Sequence, residues 1–177
     1  LPISVSNLSS SRALKDVTEA YGQQYHAAAV GEVNVVAEMK RTHSVIGGEG
    51  NGGVIYPESH YGRDALVGVG LFLSHYVAQS KKMTELKSTY PPYFISKNKM
   101  TLSPDMDVDK ILEGLKERYA TEKVTDIDGV KIDFAQGWVH LRKSNTEPII
   151  RIYSEAKDEA AANQLAEEVI AAAKSTL

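Results

Sequence analysis

Two adjacent prolines, Pro91-Pro92, stand between two stretches whose apolar residues follow different rhythms. Neither ring nitrogen can donate a backbone hydrogen bond, and each proline pushes the residue before it out of helical conformation. A short helical stretch that follows Lys81-Lys82 must therefore stop at Tyr90. With 177 residues there is room for one large domain or two small ones. The prolines favour two, and the boundary is expected between about 91 and 104: one domain over 1–92, a linker over 93–103 and a second domain over 104–177.

Before the prolines, strand and helix signals alternate. Ile3 and Val5 alternate with polar residues as in a strand with one buried face. Ser9, Ser10 and Ser11 offer N-caps for a helix carrying Leu14, Val17 and Tyr21, and Gly22 supplies its stop. A second strand over 25–30, a short helix around Val33, Val36 and Met39, and a third strand at 44–46 follow. Asp64 can then cap a helix over 65–78 that is apolar nearly all round. Such a helix is expected to be buried against a sheet, with Gly68 and Gly70 allowing close approach. This order argues for an α/β layer with parallel strands.

After the prolines the order is helix, four strands, helix, which is an α+β pattern with an antiparallel sheet. Ile111, Leu112 and Leu115 line one side of a helix over 108–119. Asp128-Gly129 marks a hairpin turn, and Val130, Ile132 and Phe134 alternate after it. Strands over 138–142 and 149–154 precede a helix over 158–174, whose stripe is Ala162, Leu165, Ala166, Val169, Ile170 and Ala173.

Composition narrows the chemistry. A formal charge of −3 gives no global attraction for a polyanion, so any anion must be held by a local cluster. The absence of Cys excludes disulfides, thiol catalysis and thiolate metal sites, and it fits a reducing compartment. No apolar run is long enough for a membrane helix. The chain opens at Leu1-Pro2-Ile3, inside an expected strand and without Met, which suggests a fragment.

Two segments carry candidate chemistry. In Gly47-Gly48-Glu49-Gly50-Asn51-Gly52-Gly53, five of seven residues are Gly, which leaves room for tight turns and close ligand approach. Glu49 and Asn51 flank one Gly and could both point into a cleft at the end of a strand. A carboxylate and an amide there suit vicinal hydroxyls; the plain alternative is a flexible loop before a helix. In the segment 142–151, Arg142, Ser144, Asn145, Thr146 and Arg151 crowd the tip of a hairpin with Lys143 and Glu147. If the turn is centred near Thr146 and Glu147, Arg142 faces Arg151 across the strands. Facing like charges repel, and a bound dianion would reverse that sign. The alternative is a polar turn with Arg151 paired to Glu147.

Other patterns are weaker. Asp105, Asp107 and Asp109 have the spacing of a calcium loop but lack its Gly and Glu, so they are expected to begin a helix. The five His are scattered, and the aromatic residues do not cluster with basic ones as in nucleic-acid platforms. Asn7-Leu8-Ser9 matches a glycosylation sequon only at chance level.

Taken together, GGEGNGG at 47–53, GRDAL at 62–66 and RKSNTEPIIRIYSEA at 142–156 resemble the C-terminal half of an α-D-phosphohexomutase, the phosphoglucomutase/phosphomannomutase family. The resemblance implies a third domain of α/β type, a mixed sheet with helices on both faces, lacking its first helix. A fourth domain of α+β type would follow, a four-stranded antiparallel sheet with two helices, TBP-like. It further implies that Glu49 and Asn51 bind sugar hydroxyls and that Arg142, Ser144, Asn145, Thr146 and Arg151 grip the phosphate not being transferred. Many members have Ser where Asn51 stands and His where Gly53 stands; the form here is similar to bifunctional and phosphoglucosamine-type mutases. Val30-Gly31-Glu32 aligns with another sugar-adjacent loop, which adds Glu32 to the sugar-binding candidates.

The family's phosphoserine and its Asp-rich Mg²⁺ loop belong to other domains. Neither Ser9–Ser11 nor the Asp105–Asp109 stretch matches them, so no catalytic or metal-binding residue is assigned. The resemblance implies Mg²⁺ and a hexose bisphosphate activator in the full-length enzyme, with neither bound by this part. Expected partners are a hexose phosphate and the N-terminal domains of the same protein, without nucleic acid or membrane, in the cytoplasm. The competing reading is a non-catalytic phosphate- or nucleic-acid-binding module, recognisable by oligonucleotide binding with a steep salt dependence.

Overall fold

The computed structural model describes residues 3–103, 106–144 and 146–175. The chain forms two compact units, Leu1–Pro92 and Tyr93–Leu177.

The first unit runs β1 (Ile3–Asn7), α1 (Ala13–Ala20), β2 (Gln24–Ala28), α2 (Glu32–Thr42), β3 (Ile46–Gly48), β4 (Val54–Tyr56), β5 (His60–Arg63), α3 (Ala65–Gln79) and α4 (Met83–Lys87). Its sheet has the order β2-β1-β3-β4-β5. β1 lies parallel to β2 and β3, while β3, β4 and β5 are joined antiparallel, so the sheet is mixed. The two short antiparallel strands, of three and four residues, escape the sequence reading because neither is long enough to show a period and β4 pairs with glycines. Gly47 and Gly48 belong to β3 and pair with Ile55 and Val54, yet carry no side chains that could show a period of two.

Successive residues of a strand point to opposite faces, and the helices divide accordingly. Val5, Gly47 and Ile55 are register partners on one face. There Val5 and Ile55 join Val35 and Met39 of α2, with Ala28, in a buried core. Ser4 points the other way and hydrogen-bonds Thr18 of α1, Oγ to Oγ1 at 2.7 Å. α3 lies on that second face, where Gly68 rests on Val54. The carboxylate of Asp64 caps α3, accepting from Val67 N at 3.0 Å. The expected burial of α3 is not found. None of its residues is buried, and Leu66 and Val77 are more than two-thirds exposed, because α3 packs chiefly on β4 and the short α4.

The second unit runs β6 (Phe94–Thr101), α5 (Val108–Arg118), β7 (Lys123–Thr125), β8 (Val130–Asp133), β9 (Gly137–Lys143), β10 (Ile149–Ala156) and α6 (Glu159–Lys174). Its antiparallel sheet has the order β6-β10-β9-β8-β7. It therefore has five strands, not the expected four. The segment expected as a linker over 93–103 is largely β6, paired with β10 along its whole length. β6 hides from pattern reading because Lys97, Asn98 and Lys99 put polar residues on both of its faces.

One face of this sheet carries Ile150, Ile152, Val139, Leu141 and Ile132 against Ile111 and Leu115 of α5 and Leu165 and Val169 of α6. Both helices of this unit are capped by aspartates, whereas α1 in the first unit begins at Arg12 without a side-chain cap rather than at the expected Ser9–Ser11. Asp107 accepts from Asp109 N and Lys110 N, and Asp158 accepts from Ala161 N at 2.8 Å. Asp105 lies outside the described residues. Among the described residues no helix is long and apolar enough to cross a membrane.

Candidate functional site

In the first unit two candidate residues, Glu32 and Glu49, converge on an arginine that the sequence reading passed over. Arg63, at the end of β5, donates from Nε to Glu32 Oε2 at 2.7 Å and from its backbone N–H to Glu32 Oε1 at 3.1 Å. The same guanidinium lies 3.5 Å from Glu49 Oε2. Asn7, at the end of β1, donates to the other oxygen of Glu49 at 3.1 Å. Glu49 is nearly buried, so its carboxylate is fixed by two donors from two other strands. Glu32 opens α2, where the helix dipole also favours a carboxylate. The Arg63 bonds hold the Glu32 carboxyl below the usual carboxylate range, backbone N–H first and guanidinium second.

Asn51 is used differently. Its Oδ1 accepts from Gly53 N at 3.1 Å and shapes the loop 49–53. Position 53 has no room for a side chain, since a Cβ there would stand 2.5 Å from Arg63 Cδ. Arg63 thus occupies the space beside the loop. Glu49 and Asn51 line adjoining depressions that share Gly52, Gly53 and Val54. Asn51, Glu32, Arg63 and Asp64 border a depression of about 550 Å³. Glu49 borders another of about 300 Å³, with Ser6, Ser10 and Leu14. Arg63 links the two through its pairs with both acids.

In the second unit Arg142 and Arg151 are direct register partners on β9 and β10, as the hairpin spacing requires. Each has one acid. Arg151 lies 3.5 Å from Glu147, in an exposed pair, and Arg142 Nε lies 3.4 Å from Asp128 without a hydrogen-bonding geometry. Both readings of the turn are therefore visible: the facing cations and the pair with Glu147. Ser144 is buried, and its Oγ lies 3.4 Å from both the hydroxyl and the N–H of Thr146, which is itself exposed. Asn145 lies outside the described residues. His140 shares the face of Arg142 two residues earlier, and its Nε2 donates to the Asp128 carbonyl at 2.7 Å. Burial pushes the His140 pKa down to about 4, against the opposing pull of that hydrogen bond.

Among the described residues no group of three or more His, Cys, Asp and Glu could hold a metal ion. What the sequence reading missed, Arg63 and Asn7, had one faint signal each: Arg63 stands in the GRDAL motif, and Asn7 ends a strand. Their partners lie tens of residues away, beyond any local pattern.

Comparison with known proteins agrees with this architecture. The sequence pattern described as phosphoglucomutase/phosphomannomutase, alpha/beta/alpha domain III, matches residues 3–93, and that of the C-terminal domain of the same family matches residues 97–172. A phosphoglucosamine/phosphogalactosamine mutase of Sulfurisphaera tokodaii is 36% identical over 93% of this chain, which spans 37% of that protein. A phosphoglucomutase/phosphomannomutase of Thermococcus kodakarensis is 36% identical over 92% of this chain, which spans 36% of it. The crystal structure of a phosphoglucomutase/phosphomannomutase family protein from Burkholderia thailandensis shares the fold with a TM-score of 0.79 at 21% identity, over 99% of this chain and 38% of that one. The chain therefore belongs to the phosphoglucomutase/phosphomannomutase family, and its two units are that family's domain III and C-terminal domain.

Proposed function

We propose that the protein containing this chain interconverts hexose 1-phosphate and hexose 6-phosphate, and that these two domains hold the substrate while the reacting serine lies elsewhere in the protein. In this reading a phosphoserine gives its phosphoryl group to the sugar phosphate, forming a bisphosphorylated sugar. That intermediate turns over and returns its other phosphate to the serine. The serine ends phosphorylated, as it began. Mg²⁺ would neutralise charge at the serine, and the bisphosphorylated sugar would serve as activator.

The residues described here position and neutralise. Arg142 and Arg151 supply charged donors to the phosphate that is not reacting, with Ser144, Thr146 and Asn145 at the same turn. Glu32, Asn51 and Glu49 accept or donate at the sugar hydroxyls, with Arg63 holding the two carboxylates in place. The observation that supports this reading most directly is the facing of Arg142 and Arg151 on neighbouring strands beside a buried Ser144.

The test uses the full-length enzyme. Arg151→Ala should weaken sugar phosphate binding by roughly tenfold or more in both reaction directions, the loss of one charged donor. Glu49→Gln should disturb sugar recognition while leaving inorganic phosphate binding nearly unchanged. If Arg151→Ala binds sugar phosphate as tightly as the unmodified enzyme, the turn is only a polar turn. Mutase turnover by the 177-residue chain alone would place the nucleophile within it and overturn the division of labour.

A further inference from the structure

Arg151 has a second cationic neighbour, on the side away from Arg142. In the register of β6 and β10 its direct partner is Lys99, so three cations, Lys99, Arg151 and Arg142, form one rung across three strands. Like charges held opposite one another are unfavourable in a sheet, and the fold nevertheless holds them there. The other face of β6 fixes which way these side chains point. Ser96 donates to Asn163 of α6 at 2.5 Å, Asn98 donates to Ser96 at 3.0 Å, and Met100 enters the core. Lys97 and Lys99 must therefore project from the open face.

The two ends of the rung differ. Arg142 is three-quarters buried and turned to Asp128. Lys99 is exposed and has no acidic partner among the described residues. Beside it lies a depression of about 350 Å³, bordered by Lys97, Lys99, Arg151, Glu147 and Tyr153. The Lys97 ammonium stands 5.5 Å from the centre of the Tyr153 ring, close enough for cation–π attraction to steady it. Three cations against one carboxylate leave this depression two positive charges in excess.

Building on the phosphate reading above, we propose that Lys99 is a further phosphate-binding residue, reaching the anion held at Arg151 and the turn from the β6 side, with Lys97 behind. The ligand is a phosphomonoester or phosphate dianion, whose charge cancels that excess. Glu147 then exchanges a weak exposed pair with Arg151 for a place at the rim. The site is assembled from two strands on either side of α5 and the hairpin β8–β9, so it exists only when the whole sheet is formed.

The experiment titrates the 177-residue chain with inorganic phosphate, glucose 6-phosphate and acetate, following amide shifts of β6 and β10. Lys99→Gln should weaken both phosphate ligands by roughly tenfold, at least as much as Arg142→Gln does, and should change acetate binding little. Lys99→Arg should restore binding to within roughly threefold, since charge and reach are kept. Amide dispersion of each variant checks that the sheet is intact. If Lys99→Gln binds phosphate like the unmodified chain while Arg151→Ala does not, this placement is wrong, the turn still binds phosphate, and the lysines only guard the sheet edge. If neither substitution weakens binding, the phosphate reading falls together with it.

Discussion

In the second unit, α6 buries Ala162, Leu165, Ala166, Val169, Ala172 and Ala173 against its sheet, whereas α3 of the first unit, apolar nearly all round, buries nothing. The two helices have similar lengths. What separates them is what surrounds them: among the described residues α6 packs on β6, β9, β10 and α5, while α3 packs mainly on β4 and α4. Apolar content alone therefore does not place a helix in a core. The first unit rests on the opposite face of its sheet, where α2 closes over Val5 and Ile55.

Core substitutions should expose this contrast most strongly. Leu115→Ala, in the packed core of the second unit, should cost about 2–5 kcal/mol of unfolding free energy. Leu73→Ala on α3, at a half-exposed position, should cost less than about 0.5 kcal/mol. Urea unfolding followed by Trp138 fluorescence for the second unit and by amide exchange for the first would check both. Comparable losses at the two positions would erase the distinction between the helices.

Acid should separate the units next. His140 is held neutral with its pKa near 4, against an ordinary value of 6.5. Between those values the unfolded chain binds a proton that the folded second unit does not, so stability falls as pH falls. The expected loss is roughly 3 kcal/mol between about pH 7 and pH 4. His140→Gln should flatten that slope, and an unchanged slope would show that another group is responsible.

A smaller effect probes the first unit. A Cβ at position 48 would stand 2.5 Å from the Gly53 carbonyl oxygen, so Gly48→Ala must spread the loop 49–53. The expected cost is about 1–3 kcal/mol, with loosening of the Arg63–Glu32 pair visible as a shift of the Arg63 Nε signal. A well-tolerated alanine would mean that β3 and β4 are less closely apposed than described.

These particulars also mark how far the sequence could be read. Val130 and Ile132 alternate cleanly because one face of β8 meets the helices, and the hairpin centre near Thr146 was enough to set Arg142 opposite Arg151. The capping carboxylate of Asp64 acts within three residues, so it too was visible, and the acidic stretch at Asp107 marked the start of α5. Strand β6 was not, because an edge strand with lysines outward and Ser96 and Asn98 inward shows no apolar period. Nor was the clamp of Arg63 on Glu32, or the rung partner Lys99, since both depend on pairings between distant segments. Local chemistry was legible; the meeting of remote strands was not.

The place of β6 in its sheet has a consequence for how the second unit comes to be folded. It is the first strand of that unit to be synthesised, yet it stands at the sheet edge beside β10, reached only after roughly fifty to sixty further residues, a long loop to close. On a ribosome β6 would emerge and wait, its lysines keeping it soluble, while β8, β9 and β10 assemble by short hairpins. Closure of the last pair should then limit the folding rate, since distant pairings are the slow ones.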